Sequence, residues 1–84
     1  MNLTKEFIST ARMPDTTREI FNSIDRLITH NETQGLKPST ITLHPSQSRP
    51  VAAWLRKEKI NMVGIQYRGY PLQTWKPDSP EKKT

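Results

Sequence analysis

The stretch Thr40-Ile-Thr-Leu-His44, followed by Pro45, decides the fold because it places a strand between two helical segments. Polar and apolar residues alternate along it in a composition rich in β-branched side chains. This pattern predicts a strand that buries Ile41 and Leu43 on one face. Pro45 ends the strand, because proline cannot donate a hydrogen bond to a neighbouring strand.

Another helix is predicted directly after this strand. Proline is tolerated in the first turn of a helix but not in its interior, so Pro50 has to lie near the start. The helix is therefore predicted over residues 49–59, with Ser48 as its cap. Trp54 and Leu55 lie on one side of this helix, which is expected to face the core.

The segment that follows predicts a β-hairpin with arms at residues 62–67 and 70–75. Arg68 and Gly69 occupy the turn between the arms, where glycine can take a positive φ without strain. Pro71 has no N–H to donate, so the last arm is expected to be an edge strand.

Two helices are predicted before the strand. Residues 3–12 carry apolar side chains at helical spacing, and Asn2 is the candidate cap. Residues 16–31 form the clearest helix of the chain, because Thr16 and Glu19 fit a capping box. The apolar face of this helix consists of Ile20, Phe21, Ile24, Leu27 and Ile28.

This order of elements predicts an α+β fold, with a small two- or three-stranded sheet and two or three helices packed on it. Residues 1–76 are expected to form a single small domain, and residues 77–84 a disordered tail. If strands 40–44 and 61–67 are parallel neighbours, helix 49–59 is the right-handed crossover between them. The hairpin then supplies the outer strand.

The composition limits the classes of protein to consider. The chain has 84 residues and no cysteine, which excludes a disulfide scaffold, thiolate metal sites and thiol catalysis. Leu, Ile, Val and Phe make up only 17 residues, so the core is expected to be small, with Ile24 and Leu55 on facing elements. No apolar run approaches the ~20 residues of a membrane span, and residues 1–5 lack the apolar stretch of a signal peptide. We therefore expect a cytoplasmic protein that does not bind membranes.

The positive charge is concentrated in one segment. The net charge of the chain is +5, yet residues 1–48 and 77–84 are each neutral. Residues 49–76 contain six bases against the single acid Glu58, together with four of the six aromatic residues. Cations neutralise phosphates and aromatic rings stack on bases, so this segment is the candidate binding surface. The alternative is a solvated basic face, with at least two of the four aromatic rings in the core of so small a domain.

The strand, the proline-led helix and a Tyr-x-Gly-x-Pro strand together carry a resemblance to a known group of proteins. Here they read Ile41-Thr-Leu-His-Pro-Ser46 and Tyr67-Arg-Gly-Tyr-Pro-Leu72. In these features, over residues 40–76, the chain resembles small uncharacterised phage and prophage proteins. The resemblance implies only a small α/β module of phage type, often with no assigned activity, and it transfers no functional residue. The cytoplasm expected above is then that of the host cell.

Catalytic and metal-binding motifs are not found in the sequence. His30 and His44 lack the spacing of metal ligands, and no Gly-x-Ser-x-Gly elbow is present. The three glycines do not form a phosphate-binding loop. Asp15 and Glu19 are explained by helix capping. We therefore predict that the protein is not an enzyme, needs no cofactor or metal, and has no small-molecule substrate.

Two functional hypotheses remain. The first is a binding protein that acts through a protein partner or through self-association as a homodimer, because Trp, Tyr and Arg are enriched at protein interfaces. The alternative is a nucleic-acid-binding module, whose affinity would fall steeply with salt. Both hypotheses use the same candidate residues, which are Arg49, Arg56, Lys57, Lys59, Tyr67, Arg68, Tyr70, Trp75 and Lys76.

Overall fold

A computed structural model describes residues 2–74 of the chain, and these residues form three helices and four short strands. The predicted α+β class is confirmed, and the sheet has one strand more than expected. Trp75, Lys76 and the predicted tail at 77–84 lie outside the described residues. The elements in chain order are β1 (Asn2–Leu3), α1 (Lys5–Thr10), α2 (Asp15–Thr33), β2 (Ile41–Leu43), α3 (Pro45–Lys57), β3 (Gln66–Tyr67) and β4 (Tyr70–Thr74).

The strand order is β1-β3-β4-β2, so β4 lies inside the sheet. It pairs antiparallel with β3, where Tyr70 is opposite Tyr67, and parallel with β2, where Leu72 is opposite Ile41. The conditional expectation that the strands at 40–44 and 61–67 are parallel neighbours is therefore wrong. The tight turn after β3 reverses the chain and inserts β4 between the two strands.

The expectation that β4 is an edge strand is also wrong. β4 divides its pairing between two partners: residues 70–71 pair with β3, whereas residues 72–74 pair with β2. Pro71 lies just before the part that pairs with β2. On the β3 side the donor is the N–H of Leu72, which reaches the carbonyl of Ile65 at 3.0 Å. Proline is thus accommodated in an inner strand, because the pairing with β3 and with β2 does not use an N–H at position 71.

The starts of the first two helices differ from the prediction. Asn2 and Leu3 form β1, which pairs parallel with β3, so the helix begins later than expected. Thr4 caps it in place of Asn2, because its Oγ1 accepts a hydrogen bond from the N–H of Phe7 at 3.0 Å. The predicted capping box of the next helix is absent, since α2 begins after Pro14 without a side-chain cap.

Helix α3 begins at Pro45, four residues before the predicted start, and Pro50 lies inside it. The N–H of His44 donates to Oε1 of Gln47 at 3.1 Å and fixes the first turn. An interior proline removes one helical hydrogen bond, and the packing of the following apolar residues compensates for it. The helix ends at Lys57 because Lys59 has a φ of +61° and the N–H of Ile60 donates to the carbonyl of Leu55.

The core lies between one face of the sheet and the three helices. Ile24 and Leu55 are buried as predicted, at 4% and 1% exposure, whereas Leu27 on the same predicted face is 45% exposed. At the centre, the ring of Phe21 meets the rings of Trp54 and Tyr67 edge to face at centroid distances of 5.6 Å and 5.7 Å. Among the described residues, no helix has the length and hydropathy that a membrane crossing requires.

Candidate binding surface

The predicted site residues do not share one surface. Two are buried, one is held in ion pairs, and four are exposed around the C-terminal part and outer side of α3. Trp75 and Lys76 lie outside the described residues. The exposed four are Arg49, Arg56, Lys57 and Lys59.

Tyr67 and Tyr70 belong to the core, with exposures of 1% and 2%. The hydroxyl of Tyr67 donates to Oδ1 of Asp25 at 3.2 Å, and its ring packs on Phe21. Neither ring is available to stack on a base or on a partner residue. The base stacking expected of the aromatic rings in residues 49–76 therefore cannot use these two tyrosines in this structure.

Arg68, a candidate binding residue in the hairpin turn, binds α2, and its side chain is only 20% exposed. One guanidinium nitrogen, Nη1, lies 2.5 Å from Oδ1 of Asp25 and 3.2 Å from Oγ1 of Thr29. The other, Nη2, donates to Oε1 of Glu32 at 2.7 Å. Arg68 also has a φ of +54°, which is unusual for a residue with a side chain. These contacts hold the turn against α2, so Arg68 has a structural role.

The acid–base properties of this cluster favour a structural role as well. Burial raises the pKa of Asp25, but the hydrogen bond from Arg68 and the charge of Lys5, 3.5 Å away, outweigh it and lower the pKa below 3.8. Burial, followed by the charge of Asp25 and the hydrogen bond to it, raises the pKa of Tyr67 to about 12. At neutral pH the carboxylate of Asp25 is charged and the phenol of Tyr67 is a neutral donor, so neither group changes its protonation state near neutral pH.

The exposed side of α3 is basic. Arg49 and Arg56 are seven residues apart, which is about two helical turns, so they lie on the same side of α3. Lys57 lies within about 100° of both around the helix axis. We call these three residues the basic face. It lies opposite the buried side formed by Trp54 and Leu55. Within residues 2–74, no carboxylate lies within ion-pair distance of any of the three. The basic face is therefore not neutralised by the described part of the chain.

An apolar groove adjoins the basic face. It has a volume of about 560 Å³ and lies between α3 and the linker that joins α1 to α2. We call it the linker groove. Its charged lining residues are Arg12, Lys57 and Glu58, and its apolar ones are Met13, Pro14, Pro50, Ala53 and Trp54.

Three hydrogen bonds fix the walls of the linker groove. The indole Nε1 of Trp54 donates to the main-chain carbonyl of Arg12 at 2.8 Å. Nη2 of Arg18 donates to the carbonyl of Ala11 at 2.6 Å, and Oγ1 of Thr17 donates to the carbonyl of Pro50 at 3.5 Å. The linker is thus tied both to α2 and to α3.

Sequence reasoning missed the linker groove. Met13 and Pro14 lie between two predicted helices, where no periodicity assigns a side chain to a face. One signal was available: a core tryptophan needs an acceptor for its indole N–H, and a main-chain carbonyl in a loop can supply it. The indole of Trp54 therefore indicated that an irregular segment packs beside α3.

Within residues 2–74, no group of three or more His, Cys, Asp or Glu side chains is arranged to hold a metal ion. Comparison with protein-family models, curated proteins and solved structures gives no match.

Proposed function

We propose that the protein is a small, non-enzymatic binding protein whose partner is another protein chain, bound in the linker groove. The observation that carries this proposal is an apolar groove of about 560 Å³ beside cations that form no ion pair with a carboxylate of residues 2–74. Cavities of roughly 300–1,000 Å³ with apolar lining and a few polar groups are the usual form of binding pockets. The phage-type origin and the cytoplasmic location remain predictions that rest on the sequence.

The apolar lining favours a protein partner over nucleic acid. The nucleic-acid hypothesis relied on aromatic stacking beside cations, and the burial of Tyr67 and Tyr70 removes two of its rings. Phosphates would use the basic face but would leave Met13 and Pro14 uncovered. A peptide uses both surfaces, because its side chains fill the groove while its carboxylates approach the cations.

The test selects peptides from a random displayed library on the immobilised full-length chain. We expect enriched peptides to bind, and we expect Ala53→Trp to abolish this binding. Ala53 is exposed and lines the groove, so a large side chain there fills it without altering the core. Asn22→Trp, at an exposed position in the middle of α2, is the matched control and should leave binding unchanged.

Two outcomes would contradict the proposal. One is a selection that enriches no peptide, or that enriches peptides whose affinity for Ala53→Trp equals their affinity for the unmodified chain. The other is steeply salt-dependent binding of random oligonucleotides, measured by fluorescence anisotropy, in a protein that binds no peptide. That second result would support the nucleic-acid alternative.

A further inference from the structure

We infer that the linker groove recognises an acidic peptide segment with one bulky apolar anchor residue. The anchor fills the groove over Trp54, and carboxylates beside it face Arg12 and Lys57. This inference rests on the proposed function and specifies the chemistry of the partner.

The anchor is apolar because the groove offers few free hydrogen-bonding groups. The indole N–H of Trp54 is already used by the carbonyl of Arg12. The carbonyl of Pro50 accepts from Thr17, and prolines have no N–H to donate. A polar side chain placed against Trp54 and Pro50 would lose its water without gaining a free N–H from either residue, which is unfavourable. An aromatic or branched aliphatic side chain has no such cost.

The flanking residues are acidic because of the charges that surround the groove. Arg12 and Lys57 line it, and within residues 2–74 neither lies at ion-pair distance from a carboxylate. Arg56 and Lys59 are exposed and close to Lys57 in sequence, whereas Glu58 is the single acid among the described residues that line the groove. The excess of cations attracts an acidic segment over a Debye length of about 8 Å at physiological salt. Glu58 disfavours a carboxylate at its own position.

The groove is preformed, which favours binding of a short segment. Trp54 and Arg18 hold the linker through bonds to its main-chain carbonyls, and Thr17 joins α2 to α3, so the linker does not have to become ordered when the peptide binds. A preorganised site avoids the free-energy cost of ordering loops.

The experiment begins with the composition of the selected peptides. We expect them to share an aromatic or branched aliphatic residue with at least one Asp or Glu within a few positions. Anisotropy titrations with one such synthetic peptide, labelled with fluorescein, then compare two double variants of the full-length chain. Arg12→Glu with Lys57→Glu reverses the groove cations, and Arg26→Glu with Lys37→Glu is the control.

Both double variants lower the net charge by the same amount, and the control residues are exposed and do not line the groove. We expect the groove variant to weaken the affinity about tenfold or more and the control to weaken it much less, because charge reversal replaces attraction by repulsion. Circular dichroism verifies that both variants fold.

The inference is overturned if the selected peptides bind in the groove but lack acidic residues, or if both double variants weaken binding equally. In either case Ala53→Trp still blocks binding, so the proposed function stands. If instead the chain forms dimers by light scattering and Ala53→Trp dissociates them, the occupant is a second copy and the inference is wrong.

Discussion

The indole of Trp54 and the main-chain carbonyl of Arg12 are joined by a 2.8 Å hydrogen bond between segments 42 residues apart. This bond connects α3 to the linker between α1 and α2. It places Met13 and Pro14 opposite Ala53 and thereby creates the linker groove. The shape of the proposed binding site thus depends on a contact made by a core residue.

Substitution of this indole tests the contact. Trp54→Phe keeps an aromatic ring beside Phe7 and Phe21 but removes the donor, leaving the carbonyl of Arg12 without its partner. We expect the free energy of unfolding to fall by about 1–3 kcal/mol, the usual cost of an unsatisfied partly buried group. Urea denaturation followed by circular dichroism measures it, and an unchanged value would show that the bond does not hold the linker.

Removal of the Arg68 side chain should destabilise the protein although it lies in a turn. Arg68→Ala loses the contacts to Asp25 and Glu32 and places alanine at a φ of +54°. We expect a loss of about 1–3 kcal/mol by urea denaturation, because a partly buried carboxylate loses its main partner. Arg68→Asn separates the two effects, since asparagine tolerates a positive φ. Lys57→Ala, at an exposed position, should stay within about 0.5 kcal/mol; an equal loss in both alanine variants would refute the structural role of Arg68.

The stability of the protein should depend on pH through Asp25. Its folded-state pKa is below the ordinary 3.8, so the unfolded chain takes up the proton first as the pH falls. The stabilisation from the carboxylate is present above pH 3.8 and is lost as the pH drops through the lower folded-state pKa. We expect Asp25→Asn to be less stable at neutral pH and to lose less stability on acidification. Parallel pH profiles for the two proteins would contradict this assignment.

The difference between Ile24 and Leu27 tests the burial of α2. Both lie on the face that the sequence predicts to be apolar, but Ile24 is 4% exposed and Leu27 is 45% exposed. Ile24→Ala should cost about 2–5 kcal/mol, whereas Leu27→Ala should cost less than about 1 kcal/mol. Thermal and urea denaturation of both variants measure the difference. Equal losses would mean that α2 is rotated relative to the core.

Local patterns in the sequence were sufficient for some elements and not for others. The apolar spacing of residues 16–31 and the alternation at Ile41 and Leu43 correctly indicated α2 and β2. The sheet order was not predictable in this way, because strand pairing is non-local. A two-residue strand such as β1 is also too short to show a period.

Charge counting located the basic segment but did not show that Arg68 is held in ion pairs within the fold. Its partners Asp25 and Glu32 belong to a helix that is distant in sequence, and only the fold brings them together. Arg49, Arg56 and Lys57 remain exposed because they lie opposite the buried side of α3. The linker groove was missed for a related reason: it is formed by a loop and a helix that no local pattern connects.

The most direct test of the proposed site is an NMR titration of the ¹⁵N-labelled full-length chain with a peptide selected from the random library. If a peptide binds in the linker groove, the largest amide shift changes occur at Arg12, Met13 and Thr17 and at Ala53, Trp54 and Lys57. Changes concentrated instead at Thr42, Gln66 and Gln73, on the open face of the sheet, would contradict it.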